Sequence, residues 1–250
     1  MSGAVSGWIV PDWPAPPGVT AVCTTREGGV SRGPFASLNL AAHVDDDPAA
    51  VAANRQRLCD ELGLERAPLW LNQVHGSAVV DAASPGEGIP TADASYTFAA
   101  GQACAVLTAD CLPVLFAARD GSAVAAAHAG WRGLAAGVLE ATLARLSLPA
   151  DSVLAWLGPA ISQAAFEVGD EVREAFVAAD GAAAGAFLRN DAGRWQADLY
   201  ALARLRLEAA GLTAVYGGGL CTHSDADRFF SYRRLPRCGR IASLIAIDRP

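Results

Sequence analysis

The sequence predicts an α+β protein built on a mixed β-sheet, organised as one domain over residues 1–250. Three observations carry this. Short apolar runs of strand type interleave with longer runs of helical spacing along the whole chain. The strand-like runs are joined both by short hairpin-like links and by longer helical ones, which suits a mixed sheet better than a doubly wound parallel one. No repeat of fixed period and no low-complexity linker divides the chain. Hydrophobic residues make up 52% of it, enough for a substantial packed core.

Taken in order, residues 1–18 hold four prolines and read as an irregular or edge-strand start. Val19–Thr24 is a short strand, and 26–34, rich in Gly, Pro and Ser, is a loop. Asp45-Asp46-Asp47-Pro48 starts a helix: an Asp caps it, acidic charge suits its positive end, and proline suits the first turn. Val51, Leu58 and Leu62 continue that helix and Gly63 stops it. Leu69–Val74 and Ala78–Asp81 read as strands, 84–95 as loop, and Ala103–Leu107, Leu112–Ala117 and Ala123–Ala127 as three buried strands. A helix is expected from Trp131 to Leu146, weakened but not broken by Gly137. Val153–Leu157 is a strand, Asp170–Ala179 and Gln196–Ala210 are helices, and an alanine-rich connection at 182–186 lies between the last two. Val215–Tyr216 and Ile241–Ile247 complete the strands.

The net charge of −7 disfavours binding to phosphate backbones, and no basic patch offsets it, so no nucleic-acid partner is expected. All 19 basic residues are arginine. That excludes a lysine Schiff base and a Walker-loop lysine, and leaves arginine as the permanent cation for anion recognition. The longest uncharged run, Ala94–Ala109, is too short and too polar to span a bilayer, which needs about 20 apolar residues. The six cysteines lack the spacing of a small secreted scaffold and the N-terminus lacks a signal-peptide pattern. A cytoplasmic protein with free thiols, no membrane partner, and a monomeric or homodimeric state is expected.

Three stretches interrupt strand-like runs with a polar side chain and a turn former: Asn72-Gln-Val-His-Gly76, Ala109-Asp-Cys-Leu-Pro113 and His128-Ala-Gly-Trp-Arg-Gly133. Strand ends beside glycine loops are where a rigid scaffold aims ligands at one point. His75, Cys111 and His128 are therefore candidate ligands of one catalytic metal, zinc first. Histidine and thiolate both suit it, and three protein ligands leave a fourth position for water. Spacings of 36 and 17 residues are not those of a zinc finger. Spacing alone does not separate this reading from two core histidines and a buried cysteine. Asp110, beside Cys111, can orient a ligand, act as a base or cap a turn. Arg132, at the expected helix start after His128, is a candidate phosphate ligand. Arg26 with its glycine loop is a second, and Arg233 with Arg234, beside Tyr232, a third. Each arginine also reads as a surface charge or structural ion pair.

These motifs, together with Thr24-Thr-Arg-Glu-Gly-Gly-Val-Ser31, Ser37-Leu-Asn-Leu40, Asn54-Arg55, Gly158-Pro-Ala-Ile161, Phe166-Glu-Val-Gly169, Cys221-Thr222, Phe229–Arg234 and Gly239-Arg240, run in order over nearly the whole chain. As a set they resemble the family historically called multicopper polyphenol oxidases or laccase-like proteins, now described as bacterial purine nucleoside phosphorylases. The resemblance implies two stacked mixed sheets flanked by helices in α/β/β/α layers, as in the catalytic domain of cytotoxic necrotizing factor. It implies zinc on His75, Cys111 and His128; Cys111 and His128, with the neighbouring Asp110, are the catalytic candidates. It also implies phosphorolysis of adenosine, inosine, guanosine and methylthioadenosine, and deamination of adenosine, with nucleosides and phosphate as small-molecule partners.

Three other readings stay open in the sequence. A metal-independent cysteine hydrolase would use Cys111 with a histidine base, as in the trimming of peptidoglycan precursors attached to bacterial relatives. Copper-dependent phenol oxidation would use the same His2Cys set, but the chain's single methionine, Met1, makes the usual axial ligand improbable. A non-enzymatic sensor or scaffold would hold a structural zinc with Cys221 or His223 as fourth ligand.

Overall fold

The computed structural model describes residues 7–249. Met1 and the first part of the irregular N-terminal stretch lie outside the described residues. In chain order, β1 (Val19–Cys23) precedes α1 (Pro48–Leu62), and β2 (Val79–Asp81), β3 (Ala94–Thr97), β4 (Ala103–Thr108), β5 (Leu112–Ala118) and β6 (Val124–Ala129) follow. Next come α2 (Trp131–Ala135), α3 (Val138–Leu146), β7 (Val153–Leu157), β8 (Glu167–Val168) and α4 (Asp170–Val177). β9 (Phe187–Arg189), β10 (Trp195–Ala197), α5 (Leu199–Ala209), β11 (Val215–Gly217) and β12 (Ile241–Ile247) complete the chain.

Side-chain alternation sets the layers. Successive strand residues point to opposite faces, and every residue of β5 is apolar and buried. Leu112, Val114 and Phe116 join a cluster with Leu139 of α3, Phe176 of α4 and Leu202 of α5. Leu115 and Ala117 face the other way and meet Cys104 and Val106 of β4 and Ile245 of β12. Strand β5 lies inside a six-stranded mixed sheet of order β11-β7-β5-β6-β3-β2, and β4 and β12 belong to an antiparallel sheet of order β1-β12-β4. The outer face of that smaller sheet, with Ala105, Leu107 and Leu244, packs on Leu58 of α1 and on Leu38 and Leu40. The architecture is a mixed α/β one, two sheets face to face with helices on both outer sides.

Helix α1 follows the local signals: Asp47 accepts from the amide of Ala49, Pro48 opens the first turn, and Gly63 ends the helix at φ 62°. Elsewhere the chain departs from its local pattern. Gly137 adopts φ 88° and divides the segment read as one helix into α2 and α3. Leu69–Val74 forms only isolated bridges, Leu69 to Cys104 and Asn72 to Thr91, because the side chain of Gln73 takes the backbone groups of Leu107 instead. The end of the expected 84–95 loop begins β3, which pairs with β6 and β2. The first residues of the expected 196–210 helix finish β10, so that helix starts at Leu199, capped by Asp198. The short strands β8, β9 and β10 form a third sheet, and the alanine-rich connection between α4 and β9 is a 3-10 turn. Runs of two or three residues carry too little period to be seen locally.

Candidate metal centre

The three histidine and cysteine motifs meet at one end of the two sheets. His128 is the penultimate residue of β6, and Cys111 directly precedes β5. Those strands pair with Leu112 opposite Ala129, so the next position sets Cys111 against Gly130. A side chain at Gly130 would be intolerable: its Cβ would lie 2.8 Å from His75 Cδ2 and 2.9 Å from Cys111 Sγ. His75 comes from the loop after Asn72, with φ 62°, and Asp110 has φ 93°. Non-glycine residues in this region cost roughly 1–3 kcal/mol each and persist where the surroundings impose them. The donor atoms of His75, Cys111 and His128 all lie within 4.8 Å of one another. His75 Nε2 is 3.7 Å from Cys111 Sγ, and the imidazoles of His75 and His128 meet edge to face at 4.8 Å.

Asp93, in a segment whose sequence predicts a loop, organises the histidines. β3 pairs with β6 with Ala94 opposite Ala127, and the same register sets Asp93 against His128. The His128 amide donates to Asp93 O at 2.7 Å, and its ring Nδ1 bonds Asp93 Oδ1 at 2.8 Å. The same buried carboxylate accepts from the amides of Val74, His75 and Gly76. Asp93 accepts the Nδ1 proton, so Nε2 of His128 is the free donor, the arrangement in which a carboxylate orients a metal-binding imidazole. Burial opposes ionisation of Asp93, but the bonds from His128, Gly76 and His75 hold its carboxyl below the usual range. Burial likewise pushes the Cys111 thiol up, yet the charge of His128 and the bonds from both histidines bring it down to about 6. Burial pulls His128 down, while the Cys111 thiolate and Asp93 raise it to about 9. A thiolate, two imidazoles and a glycine in place of any bulkier neighbour suit a metal ion. Among the described residues this is the one group of three such donors that can hold one. Neither Cys221 nor His223 joins it.

A cavity of about 560 Å³ opens over these donors. Trp131, Phe166 and Tyr232 supply aromatic walls, and Arg132, Arg233 and Arg240 supply charge. Asp110 is the only carboxylate in the lining, and both its oxygens are engaged: Oδ1 accepts from Thr222 Oγ1 and Oδ2 from the Arg233 amide, each at 2.7 Å. Arg132 stacks over Trp131, and Arg233 lies over Phe166 and donates to Glu167 O. Arg26 sits outside the cavity lining: its guanidinium donates to Ala36 O and Ala226 O and lies over Phe230. His43 and Arg240 do line the cavity, although neither is conspicuous as a site residue in the sequence. The signal for Asp93 was the Ala94–Thr97 alternation that follows it, legible only once β3 is recognised.

Fold and site together define a mixed α/β protein with a His–Cys–His donor set at the floor of a basic, aromatic-lined cavity. The chain belongs to the family described as multi-copper polyphenol oxidoreductase laccase, which matches residues 20–248. It is 60% identical over 242 residues to a Pseudomonas aeruginosa protein named purine nucleoside phosphorylase PA4543, covering 96% of this chain and 98% of that one. It is 52% identical over 241 residues to the Escherichia coli purine nucleoside phosphorylase YfiH, covering 96% and 99%. The crystal structure of Neisseria meningitidis protein NMB0706 superposes with a TM-score of 0.94 at 52% identity, covering 97% of this chain and all of that one. Among the described residues no helix is long and apolar enough to cross a membrane.

Proposed function

We propose that this chain is a zinc-dependent purine nucleoside phosphorylase. It acts on adenosine, inosine, guanosine and methylthioadenosine, and deaminates adenosine in the same cavity. The observation that carries the reading is the His75–Cys111–His128 donor set at the floor of a cavity with three arginines and three aromatic rings. The names of close relatives supply the reaction class. Zinc suits two imidazoles and a thiolate with one position open. A zinc ion held by them supplies Lewis-acid polarisation and lowers the pKa of water it binds.

The remaining work belongs to the chain itself. Asp93 fixes the proton of His128 on Nδ1 and so presents Nε2. The aromatic walls stack on a purine ring and exclude water from it. Arginine charge in the cavity holds phosphate at one end and balances its charge as the glycosidic bond breaks. Asp110, its carboxylate already bonded to Thr222 and the Arg233 amide, acts by fixing the loop that carries Cys111.

The test is release of adenine from adenosine by the purified protein, with and without inorganic phosphate, alongside metal analysis. Base release that needs phosphate, equimolar ribose 1-phosphate, and a fall of at least about a hundredfold in Cys111→Ala are expected. A second reading draws on the depressed Cys111 thiol beside His128: a metal-independent thiol hydrolase of peptidoglycan precursors. Hydrolysis of such precursors that survives exhaustive chelation, with no phosphorolysis, would replace the first reading with this one.

A further inference from the structure

The cavity has two ends of different character. At one, Phe166 and Arg233 pack together. At the other, the chain before α1 is pinned to the start of β12: the Arg240 amide donates to Asn39 Oδ1, and the Leu40 amide donates to Arg240 O. That pinning brings His43 to the same cavity as Arg240. Strand pairing places Arg240 close to the metal donors, since β12 runs against β4 with Ile241 opposite Thr108. The next pair outward sets Arg240 against Ala109, two residues from Cys111.

The guanidinium of Arg240 is held in place rather than waving in solvent. Its Nη1 donates to Cys238 O at 2.8 Å and Gly239 O at 2.9 Å, which fixes the plane and leaves Nη2 and Nε with no partner among the described residues. Among the described residues no carboxylate forms an ion pair with it. Burial and the positive charges of Arg240 and Arg55 together hold His43 below its usual range, so a neutral imidazole stands beside two arginines in this corner. Thr108 also lines the cavity, and its hydroxyl, shielded by the fold, has no partner. A half-buried guanidinium without a counter-ion is stabilised by an anion, and its planar fork matches a phosphate edge. All three cavity arginines lie over an aromatic ring, Arg240 over Tyr232 at 5.8 Å, but Arg132 and Arg233 are exposed whereas Arg240 is half-buried.

We propose that Arg240, with His43 beside it, forms the inorganic-phosphate subsite of this cavity, and that the Phe166–Arg233 end receives the nucleoside. The assignment rests on the phosphorolysis reading above. In the step it serves, an oxygen of hydrogen phosphate forms a bond to C1′ of the ribose while the C1′–N9 bond breaks. The electron pair leaves with the base, and the proton of hydrogen phosphate ends on the base.

The experiment measures steady-state phosphorolysis with inorganic phosphate and adenosine varied independently, and phosphate-free deamination of adenosine as a second readout. Arg240→Gln is expected to raise KM for phosphate about tenfold or more, with KM for adenosine and the deamination rate within about twofold of the parent. Arg240→Lys should recover part of the loss. His43→Ala, on an exposed loop residue that does not endanger folding, should raise KM for phosphate by about threefold. An unchanged phosphate KM in both Arg240→Gln and His43→Ala, or a phosphate defect confined to Arg132→Gln or Arg233→Gln, overturns the subsite while leaving phosphorolysis standing. A parent protein that releases adenine without phosphate, or not at all, refutes the functional reading and takes the subsite with it.

Discussion

Two regions of this protein are equally conspicuous in sequence and opposite in structure. The first gathers Arg26, Gly29, Ser31, Asn39 and Asn54; the second gathers His75, Cys111 and His128. In the first, polar groups close on one another. Buried Asn54 accepts from the Val30 amide and donates to Ser31 Oγ, Ser37 O and Asn39 O. Arg26 donates to two carbonyls. A Cβ on Gly29 would fall 2.2 Å from Ser37 O, so glycine is there for close approach of two backbones. In the second region, Asp93 satisfies Nδ1 of His128 and the backbone amide of His75, and the Nε2 and Sγ atoms face a cavity. The difference teaches that an arginine in a glycine loop beside a buried amide marks a strut when its hydrogen bonds are complete, and a site when they are left open.

The largest effect should come from removing the link that keeps the second region open. Each Asp93 oxygen accepts from two N–H groups, so in Asp93→Asn an amide NH2 faces two donors, leaving them unpaired and loosening the hold on His128. Metal affinity, measured by competition with a chromogenic chelator, should fall about ten- to a hundredfold. A variant with parent affinity would show that the cluster needs no orienting carboxylate.

A smaller effect, on stability alone, is expected from the first region. Asn54→Ala deletes four hydrogen bonds of one residue, two of them fully buried, and should destabilise the fold by about 2–3 kcal/mol in a denaturant titration. Metal affinity should stay within about twofold. Should metal affinity collapse while stability holds, the distinction between strut and site fails.

The smallest effect sharpens the boundary between the two regions. Cys221 is half-buried, and its sulfur accepts from Ser162 Oγ and from the amides of Ser162 and Ser224. Burial raises this thiol, but those donors favour the thiolate more and bring it down to about 7. The reactive form is the anion, so alkylation by iodoacetamide, followed residue by residue in a mass spectrometer, should increase with pH and reach half its plateau near 7. Ser162→Ala should move that midpoint upward by roughly a unit. Cys23 and Cys104, pushed up to about 12 by burial, should stay unlabelled throughout. A Cys221 midpoint at the ordinary thiol value would show that the serine contacts do not favour the anion.

Much of the secondary structure was legible because its signals are local. The Asp47 cap, Pro48 and Gly63 bound α1 in sequence as in space, and the apolar runs of β4, β5, β6 and β12 announce strands buried on both faces. The three donors stood out because each ends or breaks such a run. What was not legible depended on partners. Gly137 divides a helix only because the chain turns there to lay α3 on the sheet, and β8 and β10 exist by pairing with each other.

The sequence by itself determined the strand and helix content, the free thiols, and the absence of lysine, which leaves arginine to meet any anion. Tertiary structure alone decided which polar groups remain unsatisfied. Asp93 met His128 through the register of β3 on β6, Arg240 met His43 through the pinning of one loop on β12, and Arg26 was drawn aside into a network of carbonyls. The physical reason is one of range: a residue's preference for helix or strand is set by its neighbours in the chain, whereas its free hydrogen-bonding capacity is whatever remains after distant segments have packed against it.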